Sequence, residues 1–147
     1  MFFASQRRIA YVFMSKTIIL IPSRLSAKRL PGKPLLKING ITLINHVYKK
    51  AKEAKIGEVY VTTGDKSIYN NVKDNGGNCI LTKKNHSTGT DRIFEGLQIL
   101  KKQNIDYILN LQGDEPLINI SDIKLLRRKI ISNCLLYTSD AADDVIS

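Results

Sequence analysis

Three short segments of the sequence gather residue types that can handle a polyphosphate. The first is PSRLSAKRLPGKP, in which Arg24, Lys28, Arg29 and Lys33 place four cations close together. Gly32 allows the backbone to approach a ligand closely. Pro22, Pro31 and Pro34 stiffen the segment and reduce the entropy lost when it is ordered. A basic, glycine-containing loop that follows a strand is a general device for holding phosphate groups. Neither GxxxxGK(S/T) nor GxGxxG occurs, so neither a Walker A loop nor a dinucleotide-binding loop is expected. On composition alone the alternative is a solvated basic loop.

The second segment is QGDEP. Asp114 and Glu115 are acidic residues in a chain with an excess of positive charge. A carboxylate at a strand end can bind Mg²⁺, a hard cation that keeps waters and bridges to phosphate oxygens. Gly113 makes room for such an approach, and Gln112 can both donate to and accept from a polar substrate. An acidic turn closed by Pro116 explains the same residues equally well. The third segment is HSTGTDR, with Ser87, Thr88, Gly89, Thr90, Asp91 and Arg92. Its hydroxyls could cap the helix that follows, with Ser87 or Thr90 as the cap. They could also recognise a base or a phosphate. His86 has no partner visible in the sequence.

The elements that must position these segments follow from apolar patterning. Thr17 to Ile21 is a continuous β-branched run that suits a strand buried on both faces, with Pro22 expected to end it. Asn39-Gly40 is a tight-turn signal. Leu43, Ile44, Val47, Ala51 and Ala54 recur at helical spacing. Further strands are expected at Val59 to Thr63, Cys79 to Leu81 and Tyr107 to Leu111. A helix is expected over Lys66 to Lys73, closed by Asn75-Gly76-Gly77, and another carries Ile93, Leu97 and Leu100. A last helix, capped by Ser121, carries Ile123, Leu125, Leu126 and Ile130. This alternation predicts an α/β fold with a mostly parallel sheet and helices on both faces. Ligands of such sheets bind at the carboxyl ends of the strands, where loops 22–34, 83–92 and 112–116 would converge. Residues 1–15 read as an extension, with Met14 a plausible alternative start. Residues 16–131 form the domain, and 132–147 depart from its pattern, as a non-native or frayed tail would.

A chain of 147 residues with 43% hydrophobic and 24% charged residues can bury a real core. Its net charge of +10 favours anionic partners. The lysines are scattered, however, and neither nucleic-acid signatures nor aromatic interleaving accompany them, so no nucleic-acid partner is expected. Cys79 and Cys134 stand far apart with no His/Cys cluster, which fits a reducing compartment, the cytoplasm. No apolar run is long enough to span a bilayer, and the opening MFFASQRRIAYVF lacks the plan of a signal peptide.

Together the three segments resemble the 3-deoxy-manno-octulosonate cytidylyltransferases, also called CMP-KDO synthetases. The likeness runs from about Lys16 to about Ile131. The pattern PxRxxxxRLPGKP also occurs in other sugar nucleotidyltransferases, including those for sialic acid, whereas STGTDR with QGDEP points more narrowly to the octulosonate enzymes. The resemblance implies a Rossmann-like nucleotide-diphospho-sugar transferase fold, here truncated. It implies Mg²⁺-dependent transfer of CMP from CTP to the octulosonate, releasing pyrophosphate and feeding lipopolysaccharide synthesis. By position, Arg24 and Lys33 would contact the CTP phosphates, with Arg29 assisting or placing the sugar acid. Pro22, Ser23, Thr88, Gly89 and Arg92 would line the substrate site, Gln112 would touch the sugar acid, and Asp114 would ligate Mg²⁺. Thr63 is followed by Gly64 before Asp65, where the family reads T-D. The family also continues into a further half that normally supplies a second metal-binding Asp, sugar-acid contacts and a homodimer interface.

Overall fold

The computed structural model describes residues 16–102 and 104–146, with side chains as far as residue 133. Its central strand, β1 (Thr17–Ser23), is the apolar run singled out above. Ile18, Ile19, Leu20 and Ile21 are each 1% exposed or less, because both faces of the strand are covered. Burying side chains of this size stabilises the fold by roughly 1.5–3 kcal/mol each.

After β1 come a single 3-10 turn (Lys33–Leu35) and a two-stranded hairpin, β2 (Lys37–Ile38) and β3 (Ile41–Thr42). Asn39 and Gly40 make its turn with φ of 52° and 79°, the left-handed pair that such a hairpin requires. There follow α1 (Leu43–Glu53), β4 (Glu58–Thr63), α2 (Lys66–Asp74), β5 (Cys79–Leu81), α3 (Gly89–Leu100), β6 (Tyr107–Asn110) and α4 (Ile120–Ile146).

The main sheet is parallel, in the order β5-β4-β1-β6. The chain steps outward from β1 to β4 to β5, then crosses back to lay β6 on the other side of β1. One face of the sheet packs Ile19, Ile21, Val59, Val61 and Leu109 against Ile44 and Val47 of α1, Ile68 and Val72 of α2, and Ile123 of α4. The other face packs Ile18, Leu20 and Ile80 against Ile93 of α3. Helices therefore cover both faces, as the alternating pattern requires. The reversal of strand order between β1 and β6 opens a crevice at their carboxyl ends.

Three local expectations need correction. Pro22 does not end β1: it pairs in register with Thr62, and Ser23 with Thr63. Pairing to β6 stops at Leu20 and Asn110, so the β6 side of Pro22 needs no backbone donor. Ser121 does not cap α4 but lies in its first turn, while the carbonyl of Asn119 accepts from the amides of Asp122 and Ile123. The backbone of α4 also runs on as helix through 132–146, where the sequence pattern had shown no regular element. The extension 1–15 lies outside the described residues.

Ile21→Ala should cost about 2–5 kcal/mol of stability in urea unfolding. Leu117→Ala, at a side chain 90% exposed, should stay within about 0.5 kcal/mol of wild type.

Candidate active site

The crevice holds a cavity of about 340 Å³ into which all three singled-out segments project. From the first come Pro22, Ser23, Arg24 and Lys33; from the third, Thr88, Gly89 and Arg92; from the second, Gln112 and Asp114. Arg29 is exposed and is not among the lining residues, and neither is Glu115.

The first loop leaves β1 at Ser23, which is 7% exposed and whose hydroxyl has no hydrogen-bond partner among the described residues. A buried hydroxyl left unpaired at a cavity wall is a group that a ligand can satisfy. Gly32, at φ 75°, turns the loop back so that Lys33 and Pro34 meet the cavity. Asp65 anchors the loop's start: its carboxylate accepts from the Leu25 amide at 2.9 Å. The one-position displacement of this carboxylate from the family pattern thus leaves it tied to the first loop.

The QGD segment follows β6. A Cβ on Gly113 would stand 3.0 Å from the Pro22 carbonyl oxygen, tighter than an ordinary contact, so glycine lets the chain pass this close to β1 without crowding it. The passage puts Asp114 across the cavity mouth from Lys33, with Oδ2 3.7 Å from Nζ. Both side chains are open to solvent, so their pairing adds little to stability. It sets a lysine and a carboxylate facing each other at the cavity.

The third segment is built differently from the sequence reading. Thr88, rather than Ser87 or Thr90, caps α3, its hydroxyl accepting from the Asp91 amide at 3.1 Å. Arg92 is 4% exposed. Its guanidinium donates to Thr82 Oγ1 at 2.6 Å, to the Lys83 carbonyl at 3.0 Å and to the Lys84 carbonyl at 3.2 Å. Burial pulls its pKa below the ordinary arginine value, opposed by the charges of Asp65 and Glu95; arginine remains a cation in proteins. Arg92 thus reaches the cavity wall with three of its five N–H donors already committed to the loop. Gly64 lies beneath: a Cβ there would meet Lys84 Cα at 2.6 Å and the Lys83 carbonyl at 2.7 Å.

Sequence reasoning missed the partner of His86. His86 lines the cavity and its partner is Glu95, which the imidazole Nε2 contacts directly. Burial pushes the Glu95 carboxyl up, but His86 and the Lys83 amide outweigh it and hold it below the usual carboxylate range. Nothing in the spacing marks this pair, since it joins a loop residue to the second turn of a helix. Cys79 is the free thiol among the described residues, and burial pushes its pKa up to about 12, which leaves no thiolate nucleophile at neutral pH.

A parallel sheet with a strand-order reversal, a basic loop after its first strand and an acidic loop across the crevice make this an α/β protein with a site for a phosphorylated ligand at its strand ends. Within that class the chain belongs to the cytidylyltransferase family, whose sequence model, described as "Cytidylyltransferase", matches residues 18–144. It is 41% identical, over 88% of its length, to a 3-deoxy-manno-octulosonate cytidylyltransferase of Nitrobacter winogradskyi, covering 51% of that protein. It is 47% identical, over 69% of its length, to an 8-amino-3,8-dideoxy-manno-octulosonate cytidylyltransferase of Shewanella pealeana, covering 42% of it. A solved CMP:2-keto-3-deoxy-manno-octonic acid synthetase complexed with CTP superimposes with a TM-score of 0.74 at 41% identity, over 79% of this chain and 47% of that one. The chain spans about half the length of the curated relatives it matches.

Gly64→Ala should push the Lys83–Lys84 backbone away from the end of β4 and lower stability by about 1–3 kcal/mol, read by thermal or urea unfolding.

Proposed function

We propose that this chain supplies the nucleotide-binding half of an enzyme that transfers CMP from CTP to 3-deoxy-manno-octulosonate, giving CMP-octulosonate and pyrophosphate. The observation that carries this reading is the convergence of the three segments on one cavity at the reversal of strand order. The relatives named above, and the CTP in a similar solved structure, support the choice of nucleotide and acceptor.

The chemistry fits the residues present. The sugar's anomeric hydroxyl attacks the α-phosphorus in line with departing pyrophosphate, so negative charge builds on phosphate oxygens. Arg24 and Lys33 put cations beside that charge in a partly enclosed site, where preorganised charges lower a barrier most effectively. Ser23 offers a hydroxyl that has no hydrogen-bond partner among the described residues. Gln112 can orient the acceptor through its amide.

Asp114 is the lining residue suited to a metal. Among the described residues no cluster of three or more His, Cys, Asp or Glu forms a cage. One carboxylate facing a phosphate pocket matches Mg²⁺, which takes one or two carboxylates and fills its shell with waters and substrate oxygens. When bound, Mg²⁺ would neutralise charge on those oxygens. The product would feed lipopolysaccharide synthesis in the cytoplasm. Among the described residues no helix is long and apolar enough to cross a membrane. The amino-octulosonate is the second reading for the acceptor, since a cytidylyltransferase for it is 47% identical to this chain, the same identity as one for the unsubstituted octulosonate.

The test uses a polypeptide carrying this chain at the full length of its relatives, given CTP, Mg²⁺ and each sugar acid. Pyrophosphate release is expected with 3-deoxy-manno-octulosonate. Release only with the 8-amino sugar or with sialic acid would overturn the acceptor. Asp114→Asn should lower turnover on the order of a hundredfold with the thermal midpoint unchanged; full activity would remove Asp114 from the site.

A further inference from the structure

The loop joining β5 to α3 is a thin partition. On one side lies the 340 Å³ cavity, lined by His86, Ser87 and Thr88. On the other lies a second, shallower cavity of about 780 Å³, lined by Lys83, His86, Phe94 and Glu95 among others. Lys83, Lys84, Asn85, Ser87 and Thr88 are all exposed. Apolar packing therefore does not hold the partition in place. Its ties are polar and come from α3, the helix it leads into. Arg92 takes the Lys83 and Lys84 carbonyls. Glu95, one turn further along, takes the Lys83 amide on both carboxylate oxygens, at 3.1 and 3.2 Å, and the His86 imidazole as well.

The two side chains divide the work by polarity. Arg92 carries only donors and meets the loop's carbonyls. Glu95 carries only acceptors and meets its amide and its imidazole. Arg92 grips the first three residues of the loop, Thr82, Lys83 and Lys84. Glu95 alone reaches His86, the residue at which the loop turns into the cavity wall. Its side chain and that of His86 are 20% and 16% exposed, so solvent competes weakly for the contact.

We propose that Glu95 is a positioning residue for the nucleotide pocket: by holding the His86 ring and the Lys83 amide on one carboxylate, it fixes the 83–88 loop as the pocket's wall. The proposal rests on the nucleotide reading of that cavity. It assigns a part to a residue that lies outside all three segments and does not line the pocket itself.

The experiment measures CTP affinity by calorimetry in the presence of Mg²⁺, and hydrogen exchange at the Lys83 amide, for wild type, Glu95→Ala, Glu95→Gln, His86→Ala and the double alanine variant. Glu95→Ala should weaken CTP binding about tenfold and release the Lys83 amide to exchange. Glu95→Gln keeps an acceptor for that amide and should restore binding to within about threefold of wild type. His86→Ala breaks the same tie from its other end, so the double variant should bind little worse than Glu95→Ala alone. A purely structural glutamate would give neither the glutamine rescue nor this non-additivity. Glu95→Ala binding CTP like wild type would overturn the proposal. Wild type binding no CTP would overturn the nucleotide reading instead. In that case a Lys83 amide released in Glu95→Ala would uphold the clamp on the loop, and one still protected would overturn that too.

Discussion

Strand β1 is hydrogen-bonded on both edges, to β4 and to β6, and covered on both faces. That confinement is the constraint from which the site follows. A strand with no free edge cannot shift register without breaking two ladders, so the point at which its chain emerges is fixed. Ser23 and Arg24 emerge there, and the first loop is further tied by Asp65 and turned back by Gly32. The crossing from β5 back to β6 then brings the second acidic segment to the same place. Gly113 passes against the Pro22 carbonyl because β6 runs parallel beside β1.

The proposed chemistry depends on this rigidity. A phosphoryl-type transfer asks little covalent work of the protein and much positioning. Arg24, Lys33 and Asp114 are side chains open to solvent, and their charges act usefully only if their backbones do not wander. The first loop is stiffened by three prolines and the third by side chains of α3, two different solutions to one requirement. The first lowers the entropy of the free loop. The second cross-links the loop to a helix through Arg92 and Glu95.

Much of this was legible in the sequence. The run TIILI marks the central strand, because a short, β-branched, continuously apolar stretch suits a strand covered on both faces. Asn39-Gly40 marks its hairpin, and the alternation of periodicities gives the parallel sheet with helices on both faces. The three segments announce themselves by residue type and by their places after strands, and the structure gathers nine of the ten residues to which the resemblance gives a site role into one cavity. What the sequence hid is tertiary in origin. Pro22 reads as a strand stop, yet it sits where the neighbouring ladder has ended. Thr88 could not be told from Ser87 or Thr90 as a cap, since all three can accept from an amide. The grip of Arg92 on three loop oxygens, and that of Glu95 on His86, depend on how α3 folds back under its own preceding loop. No spacing rule encodes that. Arg29 carries the charge but does not line that cavity.

The central claim is that these three loops form one nucleotide site. A crystal structure of the chain soaked with CTP and Mg²⁺ tests it most directly. The account predicts triphosphate density between Arg24, Lys33 and Asp114, with the nucleoside against Ser23 and the Thr88–Gly89 turn. Nucleotide bound in the second cavity beside Phe94, or held only by surface lysines with the crevice empty, would contradict it.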